Sequence, residues 1–346
     1  MAKREKAPKL NYSEELRRLD TEGVGLLYLL YGEEDYLREH FLQKLKCACL
    51  GEAEDEFNYR RIDGAAPDLN ELAGAIDAMP FMSERSFVEL RGFDINKCRE
   101  AEAERLCEIF SDIPDYCTAA IVLDTAYVPD GRLSLVKAVK KLGRAMEFAA
   151  QGEAMLTDWV IKRFAAEGKG ISRGNAQKLL FTSGTLMNTL IPEIDKIVAY
   201  AQGTEISPED IEAVAQKIPE TDVFEMCDLM SIGRFDDAAT ILSGLIDSKE
   251  EPIKLLALIG AQMRRLYAVR MAQENSLSSA QAMELSGVKF DFALRKLQAS
   301  ARRYERAQLS QCVTLCAEYD YKMKSTGGDS ALLLTELFAR LAVSAR

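Results

Sequence analysis

The chain has 346 residues, 48% of them hydrophobic and 29% charged, with a formal net charge of −11 at pH 7. That length accommodates two or three domains of ordinary globular composition, and the acidic balance argues against a protein whose main task is gripping a phosphate backbone, while leaving room for a local basic face. No apolar run approaches the ~20 residues of a membrane span, and the polar, charged N-terminus lacks the apolar core of a secretory signal, so the expected location is cytoplasmic.

The first strand candidate is Leu26–Tyr31, followed by Gly32 and a helix carrying Leu37, Phe41 and Leu45 on one face. A nucleotide-binding P-loop begins this way. It continues, however, as G-x-x-x-x-G-K-[ST], because backbone N–H groups, a lysine and a hydroxyl must meet phosphate and Mg²⁺. Here Glu33, Glu34 and Asp35 follow Gly32, with no second glycine and no Lys-Ser or Lys-Thr. Acids at a helix N-terminus favour the helix by a few tenths to about 1 kcal/mol and fill the anion position electrostatically. The expectation is a degenerate nucleotide site that does not bind.

Further strand candidates are Phe57–Ile62, with Asp63-Gly64 as its turn, then Ser86–Leu90, Ala119–Leu123 and Ala145–Phe148. Between them, residues 68–78 read as a helix stopped by Pro80. Strands alternating with helices imply a mainly parallel sheet covered on both faces. The stretch AAIVLD ends in Asp124 like a Walker B strand, but Thr125 and Ala126 stand where an ATPase would place its catalytic acid.

After Gln151-Gly152 the pattern turns helical. Leu156, Val160 and Phe164 recur at helical spacing, with the lone Trp159 in the same helix and expected in the core. Turns follow at 167–170 and 182–184, and Ser207-Pro208-Glu209-Asp210 carries an N-cap serine, a first-turn proline and acids at the positive end. From Glu220 onward nearly everything is amphipathic helix. The predicted fold class is α/β followed by all-α, divided as residues 1–150, 151–219 and 220–346.

Catalytic templates fail. There is no G-x-S-x-G, and the only histidine, His40, lies inside the first helix beside Phe41, which suits a surface or half-buried structural role. The eight cysteines contain no C-x-x-C, so no zinc template fits, and Cys312 and Cys316 share a helical face as small core residues. No catalytic residue, metal or cofactor is expected.

The segment AMPFMSER (78–85) is different. Pro80 ends a helix and leaves Met79, Phe81 and Met82 around a tight corner. Such a set makes an interface plug, since Phe fills a pocket and Met adapts to its walls. On residue chemistry alone, packing beneath a helix–strand corner is the commoner arrangement.

The succession LLYLLYGEEDYLREHFL, AMPFMSERSFVELRG, AAIVLD, AQMRRLYAVR and EYDYKMKS resembles the delta-subunit family of bacterial DNA polymerase III, the non-ATPase arm of the sliding-clamp loader. The resemblance spans nearly the whole chain. It implies an AAA+-like sheet domain with a dead P-loop, a small helical lid and a helical collar. The zinc module of the sister subunits is absent, and so is their Ser-Arg-Cys motif, Ser172-Arg173 being followed by Gly174. The resemblance also implies that Phe81 and Met82, with Met79 and Pro80 beside them, enter a pocket on the beta sliding clamp. The family pattern there is leucine then phenylalanine, and the pocket-filling role survives the exchange. Implied partners are the gamma/tau and delta-prime loader subunits and, within the assembled complex, primed DNA, with no membrane partner. Two rival readings are an active nucleotide-dependent enzyme and a DNA-binding regulatory protein using the helical C-terminus. The basic residues for the latter are Lys289, Arg295, Lys296, Arg302, Arg303 and Arg306, which equally suit a solvated helical face.

Overall fold

The computed structural model describes residues 12–51, 57–124, 128–325 and 328–344, which fall into two compact units. The first comprises Met1–Gly152 together with Leu186–Asn188, and the second Glu153–Thr185 with Thr189–Arg346. Thr125 and Ala126 lie outside the described residues.

The first unit runs α1 (Tyr12–Glu22), β1 (Leu27–Tyr31), α2 (Asp35–Leu50), β2 (Tyr59–Asp63), α3 (Leu69–Asp77), β3 (Ser86–Arg91), α4 (Glu100–Ser111), β4 (Cys117–Val122), α5 (Ser134–Leu142) and β5 (Arg144–Glu147). The strands form one parallel sheet in the order β2-β3-β4-β1-β5. Such a sheet must be covered on both faces, and its strands accordingly read as apolar runs: β1 and β4 are buried at every position. One face carries Leu27, Leu29, Val88, Leu90, Ala119 and Ile121 against Leu72, Ile76, Leu106, Val136 and Val139 of α3, α4 and α5. On α2, Phe41 packs its ring 6.3 Å from Tyr28 of β1 and 5.8 Å from Phe148. His40 is half-buried and hydrogen-bonded to the Tyr12 hydroxyl, a structural contact between α1 and α2.

The second unit runs α6 (Glu153–Ala166), β6 (Gly170–Ile171), α7 (Arg173–Ser183), α8 (Met187–Tyr200), β7 (Glu205–Ile206), α9 (Pro208–Val214), α10 (Pro219–Ser231), α11 (Phe235–Asp247), α12 (Pro252–Glu274), α13 (Ser279–Ser286), α14 (Asp291–Ala301), α15 (Arg306–Ser325) and α16 (Ser330–Ser344). The first two residues of α8, Met187 and Asn188, belong to the first unit. Ser207 caps α9, as the sequence predicts, and the structure closes the cap into a reciprocal box with Asp210. The short parallel pair β6–β7 is not predicted, because two-residue strands carry no periodicity. Trp159 is half-buried rather than in the core: α6 turns Leu156, Thr157, Val160 and Phe164 inward. Long α12 is the hub, burying Leu255, Leu256, Ile259, Met263, Leu266 and Val269. Gly260 faces α15, where a Cβ would stand 3.5 Å from the Cβ of Cys316, an ordinary contact distance. Burial pushes the Cys312 thiol up to about 11 and the Cys316 thiol up to about 12, so both behave as apolar packing groups.

Candidate partner-binding loop and the nucleotide-like turn

The turn after β1 has the outline of a P-loop and a different chemistry. Gly32 is buried with φ +126°, and a Cβ on it would lie 2.3 Å from the Phe148 carbonyl oxygen. Its glycine is therefore required by the close passage of the chain leaving β5. The Glu34 N–H, which in a P-loop would face the anion, donates to the Phe148 carbonyl at 2.9 Å. Buried Arg38 donates from Nη1 to the Gly32 carbonyl at 3.0 Å and pairs with Asp35.

The three acids of this turn part company. Glu33 is exposed, Asp35 is half-buried in the first turn of α2, and Glu34 is fully buried at its N-cap. The Glu34 carboxylate accepts from the Met187 N–H at 3.3 and 3.4 Å. Burial pushes its pKa up, opposed by the Met187 and Tyr36 amides. Asp124, just beyond β4, is exposed, with Oδ2 3.6 Å from where a Cβ on Gly92 would sit.

The second feature is the corner between α3 and β3. Asp68 caps α3, accepting from the Asn70 and Glu71 N–H groups at 2.9 and 3.3 Å. The helix stops at Asp77, ahead of Pro80, and the Tyr116 hydroxyl donates to the Asp77 carbonyl at 2.9 Å. Beyond it Met79 is 82% exposed, Phe81 62% and Met82 93%, with Pro80 half-buried. Packing beneath the corner, the commoner arrangement on residue chemistry, is not what Met79, Phe81 and Met82 do.

Sequence reasoning misassigned the neighbour of this loop. Phe57 and Asn58, expected to open a strand, precede β2, which starts at Tyr59. Phe57 is 74% exposed and its ring centroid lies 5.9 Å from that of Phe81. Asn58 is buried and hydrogen-bonds the Phe81 backbone. No local pattern announces a partner 23 positions away.

Two family descriptions match the chain: "DNA polymerase III, delta subunit" over residues 28–149 and "DNA polymerase III delta subunit, C-terminal domain" over 220–341. The chain belongs to the DNA polymerase III delta-subunit family. Among curated relatives, the DNA polymerase III subunit delta of Bacillus subtilis is 25% identical over 321 residues, covering 91% of this chain and 92% of its own. A probable DNA polymerase III subunit delta from Aquifex aeolicus is 23% identical over 320 residues, covering 90% and 89%. The solved structure of the Bacillus subtilis DNA clamp loader delta protein matches with a TM-score of 0.50 and 22% identity, across 96% of this chain and 99% of that one. The parallel sheet followed by helices is thus an architecture shared with a solved delta protein.

In this delta-family chain the basic residues of the helical unit are partly engaged. Arg306 lies 3.6 Å from Glu274 and Arg303 donates to the Ser231 hydroxyl at 3.2 Å. Exposed apolar side chains also mark that unit, Tyr321 at 73%, Leu332 at 67% and Val343 at 73%. Among the described residues no helix is long and apolar enough to cross a membrane, and no His, Cys, Asp or Glu cluster is arranged to hold a metal.

Proposed function

We propose that this chain is the clamp-binding and clamp-opening arm of a bacterial clamp loader, acting in the cytoplasm without nucleotide chemistry of its own. The observation that carries the reading is the exposure of Phe81 and Met82 on a loop fixed between two regular elements. Large apolar groups presented this way fill pockets on partners. The pocket is that of the ring-shaped beta sliding clamp, with Met79 and Pro80 at its margin. Binding opens the ring only as far as the arm prefers the open state to the closed one.

The turn after β1 supports a passive role in ATP chemistry. Its amide and carbonyl are taken by Phe148 and Arg38, and Glu34 adds a carboxylate where an anion would have to enter. The ATP that drives loading is then bound by the sister gamma/tau subunits, whose binding exposes the arm and whose hydrolysis withdraws it. Residues 151–219 act as the lid and 220–346 as the collar that joins gamma/tau and delta-prime, with primed DNA met in the assembled complex.

The test is a titration of the full chain onto the immobilised sliding clamp of the same organism, with and without ATP. Saturable, nucleotide-independent binding is expected. No binding, or binding that requires ATP on the isolated chain, overturns the proposal.

A further inference from the structure

The loop that presents Phe81 takes its shape from a residue outside it. The Asn58 side chain is buried, and its backbone carbonyl accepts from the Phe87 N–H at 2.8 Å, which ties it to the start of β3. From that anchored position Asn58 Oδ1 accepts from the Phe81 N–H at 2.6 Å, and Nδ2 donates to the Phe81 carbonyl at 2.8 Å. One amide side chain thereby supplies both halves of a β-ladder rung. The next residue, Met82, has φ +51°, a left-handed conformation that a non-glycine residue keeps only where its surroundings hold it. On the other side of Asn58, the exposed Phe57 ring pairs with that of Phe81 at 5.9 Å and 47°.

We infer that Asn58 is a positioning residue for the partner-binding loop and that Phe57 is a further contact residue of the same surface. The inference rests on the reading that this loop binds the clamp. The partner then meets two rings, Phe57 and Phe81, flanked by Met79 and Met82. Holding the Phe81 backbone before encounter removes part of the ordering cost of binding, and paired rings add rigid apolar area with few rotors to freeze. Asn58 acts only through Phe81, whereas Phe57 acts by touching the partner.

Full-length Asn58→Ala, Phe57→Ala, Phe81→Ala and the Asn58→Ala/Phe81→Ala pair are titrated onto the immobilised clamp, with thermal melts and the hydrogen-exchange rate of the Phe81 amide measured alongside. Asn58→Ala and Phe57→Ala are each expected to weaken binding about ten-fold. Asn58→Ala should also speed exchange at Phe81, and in the Phe81→Ala background its effect should shrink to about two-fold or less. If Phe81→Ala loses affinity while Asn58→Ala and Phe57→Ala bind as the parent does, the inference falls and the clamp reading stands. Independent, additive losses at Asn58 and Phe81 also overturn the positioning role. If Phe81→Ala binds normally, the clamp reading itself fails. Should Asn58→Ala melt early, Asn58→Asp, which keeps the acceptor and forfeits the donor, replaces it in the cycle and the same additivity decides.

Discussion

Gly32 and Phe148 are packed backbone to backbone: a methyl group on the glycine would sit 2.3 Å from the Phe148 carbonyl oxygen. The chain leaving β5 therefore occupies the space above the turn, and the Phe148 N–H and carbonyl reach the Tyr31 carbonyl and the Glu34 N–H at 2.7 and 2.9 Å. A glycine that looks like the start of a phosphate cradle is a packing glycine.

Gly32→Ala should destabilise the sheet unit by about 3 kcal/mol, combining an overlap with a left-handed φ. Thermal or urea unfolding measures this. The parent chain should show no ATP binding in the low micromolar range by calorimetry, so the variant has no nucleotide affinity to lose.

Phe81→Ala/Met82→Ala should leave the melting temperature within about a degree or two, since both side chains are exposed and surface truncations cost about 0.5 kcal/mol or less. Clamp affinity should fall on the order of a thousand-fold, from about 2 kcal/mol for each apolar anchor. An early melt or an unchanged affinity contradicts the assignment.

Two buried glutamates should respond to pH with opposite sign. Burial alone would raise the pKa of Glu89, but hydrogen bonds from Lys46, Arg91 and Tyr59 hold it below the usual carboxylate range. Its contribution is complete above the unfolded-state value of about 4.3 and is lost as pH falls through the lower folded value. Glu34 is raised, so the stability it confers is complete at low pH and declines as pH rises from about 4.3 through its folded value. Glu89→Gln should therefore cost about 3 kcal/mol at neutral pH, with a smaller difference in acid. Glu34→Gln should be neutral or slightly stabilising at neutral pH, with that advantage disappearing in acid. Urea unfolding at pH 7 and at successively lower pH below about 4.3 separates the two.

On α16, Leu332 and Val343 lie about three turns apart on one face. Both are exposed, as is Tyr321 of α15. Replacing Leu332 and Val343 by serine should preserve folding and clamp binding while weakening co-purification with the gamma/tau and delta-prime subunits. Normal assembly of that variant removes this face from the collar contact.

Much of the architecture is written locally. The apolar runs of β1, β3 and β4, the Asp68 and Ser207 caps, and the helical periodicity after Glu220 each depend on neighbours a few positions away. So does the failure of the P-loop pattern after Gly32, which is a matter of missing residue types. The same local reading placed Phe57 in a strand and Trp159 in the core, because periodicity gives the face of an element and says nothing of what lies opposite.

Exposure and partnership were decided by tertiary structure. Whether Phe81 and Met82 pack inward or face outward turns on what surrounds the corner, and Asn58, Phe87 and Tyr116 reach it from elsewhere in the chain. The role of Gly32 likewise depends on Phe148, which sheet topology alone brings to it. By itself the sequence determined the order of elements and the departure of the turn after Gly32 from the P-loop pattern, since both are set by residue type and spacing. Which apolar groups remain outside, and what fixes them there, is a property of contacts between distant segments, and those exist only once the parallel sheet has closed around them.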